Sequence, residues 1–250
     1  MNAIRNEARA LAAAVIFFTR VPLRLRGGPA AADLARAATW LPAIGWLAGA
    51  VAAGVWWLAA LVWPPAVAAG VSLAATLLLT GALHEDGWAD VCDGFGGGAT
   101  RERVLEIMRD SRIGAFGAIG LVVMLGLKWR ATAALPPSIL PMTLIAGHAL
   151  SRAAAVSLMA TMDYARETGK AKPLAVRLGA GRLAIALGCG VLPLTMLPAR
   201  FWWAAVAVLA VRLLLARWFA CRIGGYTGDA LGAAQQLGEL AFYLTVLACA

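Results

Sequence analysis

The chain has 250 residues, of which 62% are hydrophobic and 14% charged, with a mean hydropathy of +0.77. That balance excludes an ordinary soluble globular domain and predicts one all-α, multi-pass transmembrane bundle over residues 1–250. The formal charge of +9 leaves two readings, a nucleic-acid surface or a membrane topology signal, and its placement decides between them.

In chain order, the first apolar run, from Leu11 to Phe18, is short and ends in Thr19-Arg20-Val21-Pro22 with no small-residue cleavage site. It reads as an interfacial helix or a short extra span rather than a cleaved signal peptide. Seven runs of bilayer-spanning length follow, at 40–62, 66–84, 113–134, 138–160, 183–198, 201–219 and 231–249. Sixteen of the 22 basic residues fall in segments 20–38, 85–112, 161–182 and 212–222, whereas the alternate connections hold only Arg200. Helices strung between these segments put the four basic groups on one side, which the positive-inside rule assigns to the cytoplasm. Lys128 and Arg130 are exceptions that either snorkel or line the bundle. Trp63, Trp129, Trp202 and Trp203 fit an outer aromatic belt, and Trp40 and Trp218 an inner one. The basicity is topological: lipid is an expected partner, nucleic acid is not, and a homo-oligomer stays open. The four cysteines, Cys92, Cys189, Cys221 and Cys249, show no paired spacing and read as packing residues in a reducing context.

Seven of the 13 acidic residues lie between Glu85 and Asp110, against the basic bias of that membrane face. Glu102 and Glu106 alternate with Arg101, Arg103 and Arg109 as a solvated amphipathic helix capped by Thr100. Asp86, Asp90 and Asp93 differ: at i, i+4 and i+7 they stack three carboxylates on one helix face. Their repulsion, sharpened by the negative helix end at Gly94–Gly98, calls for a hard divalent cation shared with a phosphate substrate. Glu85, a quarter-turn away, is either a further ligand or simply exposed. Gly96 and Gly97, in the glycine cluster that follows, either cradle a phosphate or merely end the helix. Asp110 or Ser111 reads as a helix cap and Arg112 as a lipid anchor, or Asp110 and Arg112 as a completing ligand and an anion contact beside a helix N-terminus. Arg152, four residues after His148, sits inside an apolar span and asks for an anion; His148 reads as a hydrogen-bonded structural residue. Arg166, Lys170 and Lys172 add cations at the same face. Asp229, among the glycines before the last helix, is a cap or a substrate or metal contact.

The segments Leu83-His84-Glu85-Asp86-Gly87-Trp88-Ala89-Asp90-Val91-Cys92-Asp93-Gly94, Arg109-Asp110-Ser111-Arg112-Ile113-Gly114 and Gly224-Gly225-Tyr226-Thr227-Gly228-Asp229 closely resemble cobalamin synthase, the adenosylcobinamide-GDP ribazoletransferase family. The resemblance runs in order along almost the whole chain. It implies a multi-pass inner-membrane enzyme using Mg²⁺, in which the hydroxyl of α-ribazole, or of its 5′-phosphate, displaces GMP from adenosylcobinamide-GDP. Asp-x-x-Asp-Gly also resembles the CDP-alcohol phosphotransferases, but Phe95-Gly96 follows here and the later aspartates of that pattern are missing. On this reading Mg²⁺ sits on Asp86, Asp90 and Asp93, with Glu85 as a further ligand. Asp93 or Asp110 accepts the hydroxyl proton, and Arg112, Arg152 and Arg166 hold the pyrophosphate, with Gly96, Gly97 and Asp229 also facing substrate. A secondary transporter would carry its charges near the midplane, and a membrane scaffold leaves the acid stripe unexplained. Metal-dependent GMP release separates the three.

Overall fold

The computed structural model describes residues 2–166 and 177–250, and eleven α-helices carry most of them. They are α1 (Asn2–Phe18), α2 (Ala31–Ala37), α3 (Leu41–Ala60), α4 (Pro65–Thr80), α5 (Leu83–Gly97), α6 (Arg101–Ile107), α7 (Ala115–Ala134), α8 (Leu140–Thr161), α9 (Ala180–Val191), α10 (Trp203–Ile223) and α11 (Gly228–Ala248). Among the described residues no strand forms; one parallel bridge pairs Tyr164 with Tyr226. The all-α, multi-pass reading therefore stands.

Fewer helices qualify as spans than the seven apolar runs suggest. Four are long and apolar enough, Ala31–Ala60, Ala115–Ala134, Leu140–Thr161 and Ala199–Ile223, and a fifth counts if α4 and α5 are taken as one broken span. Run 66–84 stops at Gly81, whose left-handed φ of 64° ends α4 without a Cβ penalty. Ala82 follows at φ 55°, the one non-glycine residue with positive φ among those described, and α5 leaves at 90° to α4. Run 183–198 breaks at Pro193 into the 12-residue α9 and a 3₁₀ turn. Run 231–249 falls on α11, 21 residues long and ending at Ala248, but it buries Gln235, Gln236 and Glu239 and threads the bundle centre.

α8 is the other central helix, buried over most of its length, whereas α7 and α10 are largely exposed. Val122, Leu213, Leu214 and Trp203 accordingly stand out on the exposed apolar surface, where the lipid lies. Trp63, Trp129 and Trp202 are exposed too, as the aromatic-belt reading requires. The core splits into two clusters stacked along the bundle. One gathers Phe18, Leu41, Phe95, Met159, Phe219 and Tyr226, and the other Trp56, Leu140, Leu144, Phe201, Phe242 and Val246. The first surrounds the end that carries the acid-rich helix.

Candidate active site

α5 lies across that end of the bundle, and three other helices fasten it. At its start, a Cβ on Gly87 would lie 2.9 Å from the Asp229 Cα, so only glycine lets α5 and the first turn of α11 pack this closely. In its middle, the Trp88 indole donates to the Gly120 carbonyl of α7 at 3.0 Å. At its end, Arg222 of α10 donates to the carbonyls of Phe95 and Gly98 at 2.9 and 2.7 Å. The exposed negative helix end is thus answered by a protein cation.

These fastenings split the acid stripe. Asp93 points at the start of α7, where the Gly114 and Gly117 amides donate to its Oδ2 and Oδ1 at 2.7 and 2.8 Å. The helix N-terminus that the sequence offered as an anion site is filled by Asp93 itself. Asp86 and Asp90 instead face a cavity of about 370 Å³, bounded by α1, α5, the α6–α7 link, the strip ending in Arg166 and the start of α11. Asp229 joins them there. Burial, reinforced by Asp229 and Asp86, pushes the Asp90 carboxyl up to about 7. Among the described residues no three acid, histidine or cysteine side chains close on a common metal position.

The cavity is also lined by the cations Arg109 and Arg166. Arg166 pairs with Asp229 at 2.7 Å and donates to the Met108 carbonyl at 3.2 Å, while its buried Nε has no partner. The strip carrying it is docked through backbone: Tyr226 N–H donates to Asp163 O at 2.9 Å and Ala165 N–H to Tyr226 O at 2.8 Å. A side chain at Gly225 would collide with the Asp163 carbonyl, which explains a glycine at that position. Thr227 caps α11 by accepting from Ala230 N–H, freeing Asp229 to face the cavity. Arg109, Asp110 and Ser111 contribute from the α6–α7 link. α6 is amphipathic and capped by Thr100, as its sequence predicts.

Several expected contacts fall elsewhere. Gly96 and Gly97 are not a loop: α5 stays helical through Gly97, and Gly96 packs beneath the Phe116 ring. The glycines serve helix packing, and neither lines the cavity. Arg112 turns outward and chelates Asp110, its Nη2 2.6 Å from Asp110 Oδ2. That hydrogen-bonded guanidinium holds the Asp110 carboxyl down at about 2, which makes it a weak base. Asp110 does not cap α7 either; Asp93 does. Lys170 and Lys172 lie outside the described residues.

Glu85 and Arg152 belong to a polar network inside the bundle rather than to the cavity. Gln236 Nε2 donates to Glu85 Oε1 at 2.7 Å, and Lys128 Nζ donates to Gln236 Oε1 at 2.9 Å. Lys128 pairs with Glu239 at 2.5 Å; His148 Nδ1 lies 2.8 Å from Glu239, and Arg152 donates to the His148 carbonyl at 3.0 Å. Two carboxylates face two cations, so Arg152 has its anion in Glu239, 3.8 Å away, and does not line the cavity. His148 is the structural residue its position suggested, and Lys128 lines the bundle.

Sequence reasoning overlooked Phe17, Phe18, Leu41, His84 and Met159 as cavity walls. The one available signal was the aromatic pair closing the N-terminal helix just before Thr19-Arg20-Val21-Pro22.

The family described as cobalamin-5-phosphate synthase matches residues 10–247. A protein of Ralstonia pickettii (strain 12J) named adenosylcobinamide-GDP ribazoletransferase is 50% identical over 99% of this chain and 98% of its own length. Proteins of the same name from Leptothrix cholodnii and Shewanella amazonensis are 47% and 41% identical, each with 99% of this chain and 98% of the relative covered. No solved structure matches the chain.

Proposed function

Because the chain belongs to the cobalamin-5-phosphate synthase family, a family of transferases in cobalamin biosynthesis, we propose that it carries out Mg²⁺-dependent transfer from adenosylcobinamide-GDP to α-ribazole or its 5′-phosphate. The acceptor hydroxyl oxygen bonds to the phosphorus that carries the cobinamide, the bond from that phosphorus to the bridging oxygen breaks, and GMP leaves with that oxygen. The hydroxyl proton passes to a carboxylate of the site. The observation that carries this reading is the gathering of Asp86, Asp90, Asp229 and Arg166 around one cavity at the end of an apolar bundle.

A hard cation suits the donors present, since they are carboxylate oxygens, and burial together with the neighbouring Asp229 and Asp86 holds Asp90 near 7. Mg²⁺ takes one or two protein carboxylates and completes its shell with water and substrate phosphates, so a closed protein cage is not required. Asp86 and Asp90 would hold it, and it would neutralise charge on the pyrophosphate oxygens. Arg166, fixed by Asp229 and the Met108 carbonyl, meets the same anion with a planar fork. Asp93 is committed to α7 and Asp110 to Arg112. The proton therefore goes to whichever of Asp86, Asp90 and Asp229 stays outside the ion's shell. We place this end of the bundle in the cytoplasm of a bacterial inner membrane, from the basic segments that converge there.

Purified protein in detergent should release GMP from adenosylcobinamide-GDP only with Mg²⁺ and α-ribazole both present. CMP release from a CDP-lipid, or no nucleotide release with any acceptor, would overturn the reading. For sidedness, Thr100→Cys in a background lacking the native cysteines should resist an impermeant thiol reagent added outside intact cells.

A further inference from the structure

The cavity lining divides by element. Asp86 and Asp90 of α5, Asp229 of α11 and Arg166 supply charge, whereas α1, α3 and α8 supply an apolar end of Phe17 and Phe18, Leu41 and Met159. Phe18 lies nearly parallel to the His84 ring, with centroids 6.4 Å apart and planes at 22°, and Phe17 braces it edge-on at 4.9 Å. Leu41 and Met159 are buried members of the surrounding core, so the wall is backed by packed side chains.

Resting on the reaction proposed above, we infer that this apolar end seats the base of the acceptor, and that Phe18, Leu41 and Met159 set which base is accepted. Size comes first. At about 370 Å³ the cavity stands at the small end of ligand sites, roughly 300–1,000 Å³. It takes a nucleoside and neighbouring phosphates, so the corrin macrocycle of the donor stays outside the mouth and only its phosphate arm enters. Two bases then compete for the apolar end, the guanine of the donor and the dimethylbenzimidazole of α-ribazole. Guanine carries several donors and acceptors along its edge; the side chains of Phe17, Phe18, Leu41 and Met159 answer none of them, and the unpartnered His84 ring stacked on Phe18 can answer only part of that edge. Desolvating the remaining groups there goes uncompensated. A dimethylbenzimidazole riboside presents a flat apolar face and two methyl groups, which gain by the same burial. The apolar end thus takes the acceptor base and turns guanine away, leaving the acceptor sugar at the carboxylates.

The test compares α-ribazole with its analogue lacking the two ring methyls, and with a purine riboside, as acceptors. The parent protein should favour α-ribazole over the desmethyl analogue by about tenfold or more in kcat/KM, as expected for methyl-sized differences in an apolar pocket. Phe18→Ala and Met159→Ala should each lower kcat/KM for α-ribazole about tenfold and shrink that preference. The KM for the GDP-bearing donor and the Mg²⁺ requirement should stay within twofold. Phe18→Leu, which keeps the core filled, should show the same trend in smaller measure and guards against misfolding of the alanine variant. An unchanged acceptor preference in all three variants, with GMP release intact, would overturn the assignment while leaving the reaction standing. If the parent released no GMP, the reaction would fall, and calorimetric binding of α-ribazole alone would judge the seat. Binding about tenfold weaker in Phe18→Ala and Met159→Ala supports it; equal or absent binding overturns it.

Discussion

Asp93→Asn should destabilise the protein, although removing one of three stacked carboxylates ought by repulsion alone to stabilise it. The Asp93 oxygens accept from the Gly114 and Gly117 amides at 2.7 and 2.8 Å at the start of α7. An asparagine keeps one acceptor oxygen and turns an NH₂ toward the other backbone N–H, so one charge-assisted bond, about 1.5–3 kcal/mol, is lost. The anion at the helix N-terminus goes with it, about 0.3–1 kcal/mol. Because the Gly114 contact is solvent-exposed, the lower end applies, a net loss of about 2 kcal/mol. For a chain of this size that lowers Tm by about 4–8 °C. The measurement is thermal unfolding in detergent with EDTA, run beside Asp86→Asn and Asp90→Asn, which face the cavity and should match or exceed the parent. An Asp93→Asn midpoint within 1 °C of the parent, or an equal drop for Asp90→Asn, would refute the reasoning.

Three further outcomes are expected. Asp90 has its carboxyl raised to about 7, so between about 4 and 7 the folded chain holds a proton that the unfolded chain has released. Metal-free stability should fall as pH rises through that window, and Mg²⁺ affinity, which needs the carboxylate, should climb up to about tenfold per pH unit and level off above 7; affinity flat from pH 5.5 to 8.5 by titration calorimetry would contradict this. Arg152→Met should cost about 3–5 kcal/mol by leaving Glu239 short of a cation, while Arg152→Lys should fold and keep the donor KM within twofold; a tenfold rise in that KM would return Arg152 to the substrate. Gly87→Ala, whose Cβ would press on the Asp229 backbone, should lose about 1–3 kcal/mol and most turnover, whereas Gly97→Ala, 3.4 Å from the Ile107 tip, should retain full activity. Loss of activity in Gly97→Ala without loss of fold would restore the phosphate-cradle reading.

Composition, hydropathy and the distribution of arginine were enough to determine an all-helical membrane bundle, because burying backbone in lipid leaves helices as the economical solution for such a chain. The long motif around Asp86 and Asp90 was equally legible, since carboxylates on one helix face near a membrane end have few structural uses. What local spacing did not carry was the partner of each polar group. A stripe at i, i+4 and i+7 spans an arc, and the helices packed across α5 divided that arc. Asp93 went to α7, Glu85 to Gln236 inside the bundle, and Asp86 and Asp90 to the cavity. Arg152 asked for an anion in the sequence, but only the neighbouring helix, 87 residues later, showed that Glu239 supplies it. The glycines after Asp93 looked like a loop because glycine disfavours helix. Close packing of Phe116 on Gly96 overrides that preference, and such a contact exists only once the helices have come together.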